Sequence, residues 1–202
     1  MRRAIGLALL LVALPAGVLA LTHAQARWKY PRRFAEVEAD SLYRGGLPTA
    51  EHIRLLAADE KIKTVVSLTG QTDDPDDRGA VAAARALQLK QIRIPMPGDG
   101  LAPFEALDRA AEVVADERAR PTFFHCAAGK QRSNAVLAAY WLRKQGRTID
   151  AVLQELEARY DLDPVKEKSL CDHLRAYANY LAQRPVSTSG KSDAPEQAAP
   201  PH

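Results

Sequence analysis

Cysteine is nearly missing from this chain of 202 residues: only Cys126 and Cys171 occur, so no disulfide framework supports the fold. Cys171 lies close to His173 in sequence, but without further ligands the two make no metal site. Charge of one sign is also in short supply. The 28 Lys and Arg against 25 Asp and Glu leave a formal +3, an excess that suits anionic substrates. No arginine-rich tract and no aromatic interleaving of the kind that tracks nucleic acid is present, which argues against a nucleic-acid partner. Nothing in the chain repeats, and its length leaves no room for a second domain. What is there, 47% hydrophobic and 26% charged, suffices for one domain with a sizeable core plus extensions.

The extensions lie at the two ends. Arg2 and Arg3 precede an apolar run from about Ala4 to Leu21, and Ala24-Gln25-Ala26 has the small residues of a cleavage site. Residues 1–26 therefore read as a signal peptide or a membrane anchor. Pro15 and Gly17 interrupt the run and favour the signal peptide, whereas its lack of strong polar residues keeps a spanning helix open. Arg27, Lys29, Arg32 and Arg33 balance the charges before the run, so charge does not set orientation. The expected location is the periplasm, or the inner membrane of a bacterial cell with the domain tethered to it. Residues 184–202 are Pro- and Ala-rich and too poor in apolar bulk to pack, which predicts a disordered tail. Gly190-Lys191-Ser192 within it has no preceding strand and lacks the first glycine of a nucleotide loop. Residues 27–183 remain for the domain.

Between the ends, hydrophobic periodicity alternates. Helices are expected at Thr49–Ala58, Arg78–Leu89, Pro103 to about Ala119, the stretch after Ser133 to near Gly146, and Thr148 to about Tyr160. A last helix opens at Asp163-Pro164, with Leu170, Leu174, Tyr177 and Leu181 on one face. Strands are expected at Lys63–Leu68, Gln91–Ile94 and Thr122–His125. Alternation of this kind gives an α/β fold, a central mainly parallel sheet flanked by helices, with ligands at the carboxyl ends of the strands. His23, His52 and His202 join no constellation and are assigned to the surface or to processing.

The chemistry sits at such an end. In His125-Cys126-Ala127-Ala128-Gly129-Lys130-Gln131-Arg132-Ser133 a thiol lies in a short loop between a buried strand and a helix N-terminus, and an arginine closes the loop. Helix dipole, inward backbone N–H groups and guanidinium all favour the thiolate. The same groups suit a tetrahedral dianion, with the amides of Ala127 to Arg132 on its equatorial oxygens and the Arg132 side chain binding two of them. Gly129 admits close backbone approach, Ser133 can donate to the sulfur, and His125 is expected to order the loop by hydrogen bonding rather than to exchange protons.

This H-C-x-x-G-x-x-R-S pattern resembles the signature loop of the cysteine-dependent protein tyrosine and dual-specificity phosphatases. The resemblance runs from Phe34 to about Tyr180. Asp40 to Pro48 is similar to the opening segment of compact bacterial and fungal members, and Lys63 to Leu68 to their first core strand. Asn134 stands where many members have glycine, which predicts a slightly altered helix start. The resemblance implies a phosphatase-type fold and hydrolysis of phosphate monoesters through a phosphocysteine, with no metal or other cofactor. It also implies an acid on a loop upstream of the cysteine strand with one helix between.

Asp99 is the only carboxylate in the Pro- and Gly-bounded loop after Ile92–Ile94, so it is the candidate acid; Asp-Gly is also a common turn dipeptide. Asp73, Asp74, Asp76 and Asp77 form a second acidic cluster, read as a solvated loop with Asp77 capping the next helix, although one of them remains an alternative acid. Lys130 adds charge where some lipid- and inositol-phosphate phosphatases of the superfamily also carry lysine; the alternative is a helix-start lysine in solvent. No long insertion builds a deep wall, so the resemblance is to the shallower dual-specificity type. Expected substrates are phosphorylated proteins (phosphotyrosine, phosphoserine, phosphothreonine) or inositol-type phosphates. Two rival functions are a rhodanese-like sulfurtransferase and a catalytically idle phosphate-binding module.

Overall fold

The computed structural model describes residues 29–184. Residues 1–26, read as a signal peptide or anchor, and all but Arg184 of the expected tail lie outside those residues. Among the described residues no helix is long and apolar enough to cross a membrane.

A hairpin comes first. β1 (Ala35–Glu38) and β2 (Leu42–Gly45) pair antiparallel, and Asp40 between them has φ 52°, a left-handed value that aspartate tolerates. Neither strand is legible beforehand, because four residues are too few for a periodicity to register. β3 (Thr64–Ser67), β4 (Lys90–Arg93) and β5 (Thr122–His125) then complete a sheet of order β1-β2-β5-β3-β4, parallel except at the hairpin. The mainly parallel expectation holds, and β5 occupies the centre between β2 and β3.

Both faces of the centre are covered, which is why Thr122-Phe123-Phe124-His125 is buried at every position rather than alternating. On one face α1 (Ala50–Asp59) and α2 (Pro75–Ala86) bring Ile53, Leu56, Ala80, Ala83 and Ala84 onto Tyr43, Val65 and Phe123. The other face takes α3 (Phe104–Ala115), α4 (Gln131–Lys144), α5 (Ile149–Arg159) and α6 (Lys168–Gln183), packed over Leu42, Val66 and Phe124. Burying each phenylalanine is worth about 1.5–3 kcal/mol, so this pair anchors the strand that carries the thiol.

Helix α4 is buried without a break from Ser133 to Trp141, since α3, α5 and α6 leave it no solvent face. Ala135, Ala138 and Ala139 keep that packing close.

Two helix starts differ from expectation for reasons that are local. α2 begins three residues early: Asp74 is its cap, accepting from the Asp76 N–H, with Pro75 at the first position. Asp77 is therefore no cap; it sits inside the first turn, 3% exposed, and pairs with Arg93. α6 begins late, because Asp163 accepts from the N–H groups of Val165 and Lys166 and holds residues 164–167 as a turn before Lys168. His52 is not a free surface residue either. It completes a capping box, its Nδ1 accepting from the Thr49 N–H while Thr49 Oγ1 accepts from its own N–H.

Candidate active site

Strand β5 ends at His125, and the next residue is the thiol. Cys126 is 1% exposed, and its Sγ accepts from the Gly129 N–H at 3.2 Å and the Ser133 hydroxyl at 3.3 Å. Burial by itself raises a thiol pKa. Here the hydrogen bonds from Ser133 (side chain and backbone) and from the Lys130 N–H, with the Arg132 charge, outweigh it and place Cys126 below the ordinary thiol value. Burial pushes its neighbour His125 down to about 4, so that imidazole, stacked 5.7 Å from the Phe123 ring, is neutral near pH 7.

What turns the loop amides inward is the anchoring of its carbonyls. Ala127 O accepts from the Leu47 N–H at 3.1 Å, Ala128 O from Arg33 at 2.9 Å and Gly129 O from Arg44 at 2.7 Å. A trans peptide points its N–H opposite its C=O, so fixing three successive carbonyls outward leaves the amides facing the sulfur side. Gly129 is needed for a second reason. Its φ is +66°, and a Cβ there would stand 2.6 Å from Gly46 N and 2.7 Å from Gly45 C. Gly129→Ala is expected to cost about 2 kcal/mol or more and to lower Tm by at least about 4 °C. A thermal melt superimposable on the wild type would contradict this account of the loop.

Beneath the loop lies a guanidinium that sequence reasoning placed only in a similar opening segment. Arg44 is 1% exposed, donates to Asn134 Oδ1 at 2.6 Å as well as to Gly129 O, and lies 4.7 Å from the Tyr160 ring centroid. Burial lowers it to about 10, which leaves it charged at neutral pH. Asn134 passes the connection on, donating to Tyr160 O at 3.1 Å. The departure at Asn134 thus has a structural use: it locks the helix start to β2 and to the end of α5. In the sequence Arg44 lies only within the Asp40 to Pro48 segment, which says nothing of its burial.

Arg132 differs from Arg44 and Arg33 in having no committed partner. Among the described residues its guanidinium makes no ion pair or hydrogen bond, and its Nε is buried unpartnered. An anion in the amide ring would satisfy it. Lys130, by contrast, lies 3.3 Å from Glu167, so it is neither free inside the loop nor loose in solvent.

Asp99 is exposed on the loop between β4 and α3, and its Oδ1 accepts from the Leu101 N–H at 3.0 Å, so it does form the turn its dipeptide suggests. That turn is docked on the cysteine loop's side of the molecule. Gly100 has φ +82°, and a Cβ there would lie 2.9 Å from the Gln131 carbonyl and 3.2 Å from Leu170. His173 Nε2 meets Ala102 O at 2.8 Å and ties the far end of the turn to α6. Of the second acidic cluster, Asp73, Asp74 and Asp76 are exposed, while Asp77 is bound by Arg93 and Thr72. Burial alone would raise Asp77, but those partners hold it below the usual carboxylate range. It serves to pin the loop after β3. Among the described residues no cluster of His, Cys, Asp and Glu is arranged to hold a metal ion.

A site of this geometry can bind a tetrahedral dianion and attack it with sulfur, with the Asp99 turn packed beside the start of α4. Known proteins of similar sequence and fold carry matching names. Dual specificity protein phosphatase TpbA of Pseudomonas aeruginosa is 31% identical over 117 residues, 58% of this chain and 50% of its own length. Inositol diphosphatase DSP2 of Oryza sativa subsp. japonica is 30% identical over 116 residues, 56% of this chain and 54% of its own length. The chain thus spans about half the length of these curated relatives. The core catalytic domain of the PP-IP phosphatase SIW14 from S. cerevisiae shares the fold, with a TM-score of 0.57 at 20% identity over 77% of this chain and 96% of that one. The family described as "DSP-PTPase phosphatase fused to NAD+ Kinase" matches residues 26–172, a span that takes in both the cysteine loop and the Asp99 turn, and the chain belongs to it.

Proposed function

We propose that the protein hydrolyses phosphate monoesters through a phosphocysteine. The observation that carries this reading is the lowered thiol of Cys126 inside a ring of amides beside an uncommitted Arg132 guanidinium. Cys126 Sγ attacks phosphorus as the bond to the leaving oxygen breaks, and the Asp99 carboxyl gives that oxygen its proton. Arg132 and the amides of residues 127–132 hold the three equatorial oxygens throughout. Water then attacks the phosphocysteine, Asp99 takes its proton, the S–P bond breaks, and thiolate and inorganic phosphate separate. Ser133 donates to the departing sulfur, and neutral His125 packs behind the loop.

The substrates are phosphorylated protein side chains or inositol-type phosphates; one relative named above acts on each kind. Phosphate release from 4-nitrophenyl phosphate with chelator present tests the reading. Thiocyanate formation from thiosulfate in its place would favour a sulfurtransferase, and phosphate binding without release an idle module. The apolar segment before residue 27 supports export of this activity, with a membrane tether as the alternative. A periplasm-dependent reporter fused after Gln183 is expected to be active, and a stable but silent fusion would reverse that.

A further inference from the structure

Glu167 lies outside the cysteine motif and outside the acid loop, yet it pairs with a residue of the cysteine loop. It is the residue before α6, and its side chain is only 8% exposed. One oxygen, Oε2, stands 3.3 Å from Lys130 Nζ and accepts from the Asp163 N–H at 3.0 Å. The other, Oε1, is buried with no hydrogen-bond partner. Lys130 is itself 22% exposed at the side chain, so the pair is largely shielded from solvent.

We propose that Glu167 is a specificity-determining residue: by holding Lys130 it leaves Arg132 as the one uncommitted cation of the loop and selects singly phosphorylated substrates over polyphosphorylated ones. The inference rests on the phosphatase reading and deepens it. A monoester dianion needs the amides and Arg132. A substrate with further phosphates needs Lys130 as well, and to recruit it must leave Glu167 buried, negative and uncompensated, which a shielded site penalises heavily. Lysine in the loop therefore does not signal a polyanion substrate here, because its charge is already matched.

Glu167→Gln keeps an acceptor for the Asp163 N–H and removes the charge. It is expected to raise kcat/KM for myo-inositol hexakisphosphate by about tenfold while 4-nitrophenyl phosphate changes by less than about twofold, a gap that narrows at high salt. Lys130→Met alone should cost the polyphosphate less than about threefold, and in that background Glu167→Gln should give no gain, because the two act as one unit. An equal change on both substrates, no change, or a gain that persists without Lys130 would overturn the proposal. Affinity for inositol hexakisphosphate is measured in parallel in Cys126→Ser, with and without Glu167→Gln. The tighter binding expected there is read without turnover, so failure of the phosphatase reading is distinguishable from failure of this one.

Discussion

Cys126→Ser is expected to reduce phosphate release by at least about 10⁴-fold while leaving inorganic phosphate binding within about threefold of the wild type. The separation follows from how the site is built. Binding is done by the amides, whose carbonyls are tied to Leu47, Arg33 and Arg44, and by Arg132, and none of these touches the identity of the nucleophile. Attack requires an anion at rest, and the donors that lower Cys126 below an ordinary thiol fall far short of ionising a serine hydroxyl. The chain also carries its own reference thiol. Burial raises Cys171 above the ordinary value, so iodoacetamide near neutral pH should modify Cys126 first, and the rate should track its ionisation. Residual turnover within a hundredfold of wild type, or modification of Cys171 ahead of Cys126, would contradict Cys126 as the nucleophile.

The loop that makes this possible was legible because its requirements are local. A strand of apolar residues, a nucleophile, a glycine and an arginine at fixed offsets determine where the thiol and the anion go, and the helices on either side follow from period 3.6. The support under the loop was not legible, because it is built from residues remote in sequence. Arg44 lies 85 residues from Gly129 and 90 from Asn134, and nothing in a four-residue strand announces that its arginine is buried. Asp77 was misread for the opposite reason: four nearby aspartates invite a solvated loop, and only the pairing of β4 with β3 brings Arg93 over to bury one of them. Glu167 gave no signal at all, since its partner sits in another element and the turn that aims it follows from Asp163 capping its own neighbours. The proposal of export or anchoring rests on residues 1–26, which lie outside the described residues, and is read from the sequence alone.

Asp99→Asn is expected to separate leaving groups rather than to abolish phosphate release. With a basic alkoxide leaving group the loss of a proton donor should lower kcat by about 10²–10³-fold, whereas 4-nitrophenolate, which departs without a proton, should lose less than about tenfold. Asparagine retains an oxygen for the Leu101 N–H, so the turn and its contact with Gln131 survive the change, and lost rate reports lost chemistry. His125 does not substitute, because burial keeps it neutral near pH 7 and its ring is stacked against Phe123. Asp77 does not substitute either: its carboxylate is committed to Arg93 and Thr72, and those bonds favour the ionised form that has no proton to give. The dependence of rate on leaving-group basicity, measured across a series of aryl and alkyl phosphates, should therefore steepen in Asp99→Asn. Equal slopes for variant and wild type at every pH would remove Asp99 from the reaction and turn the search to a proton donor carried by the substrate or by water.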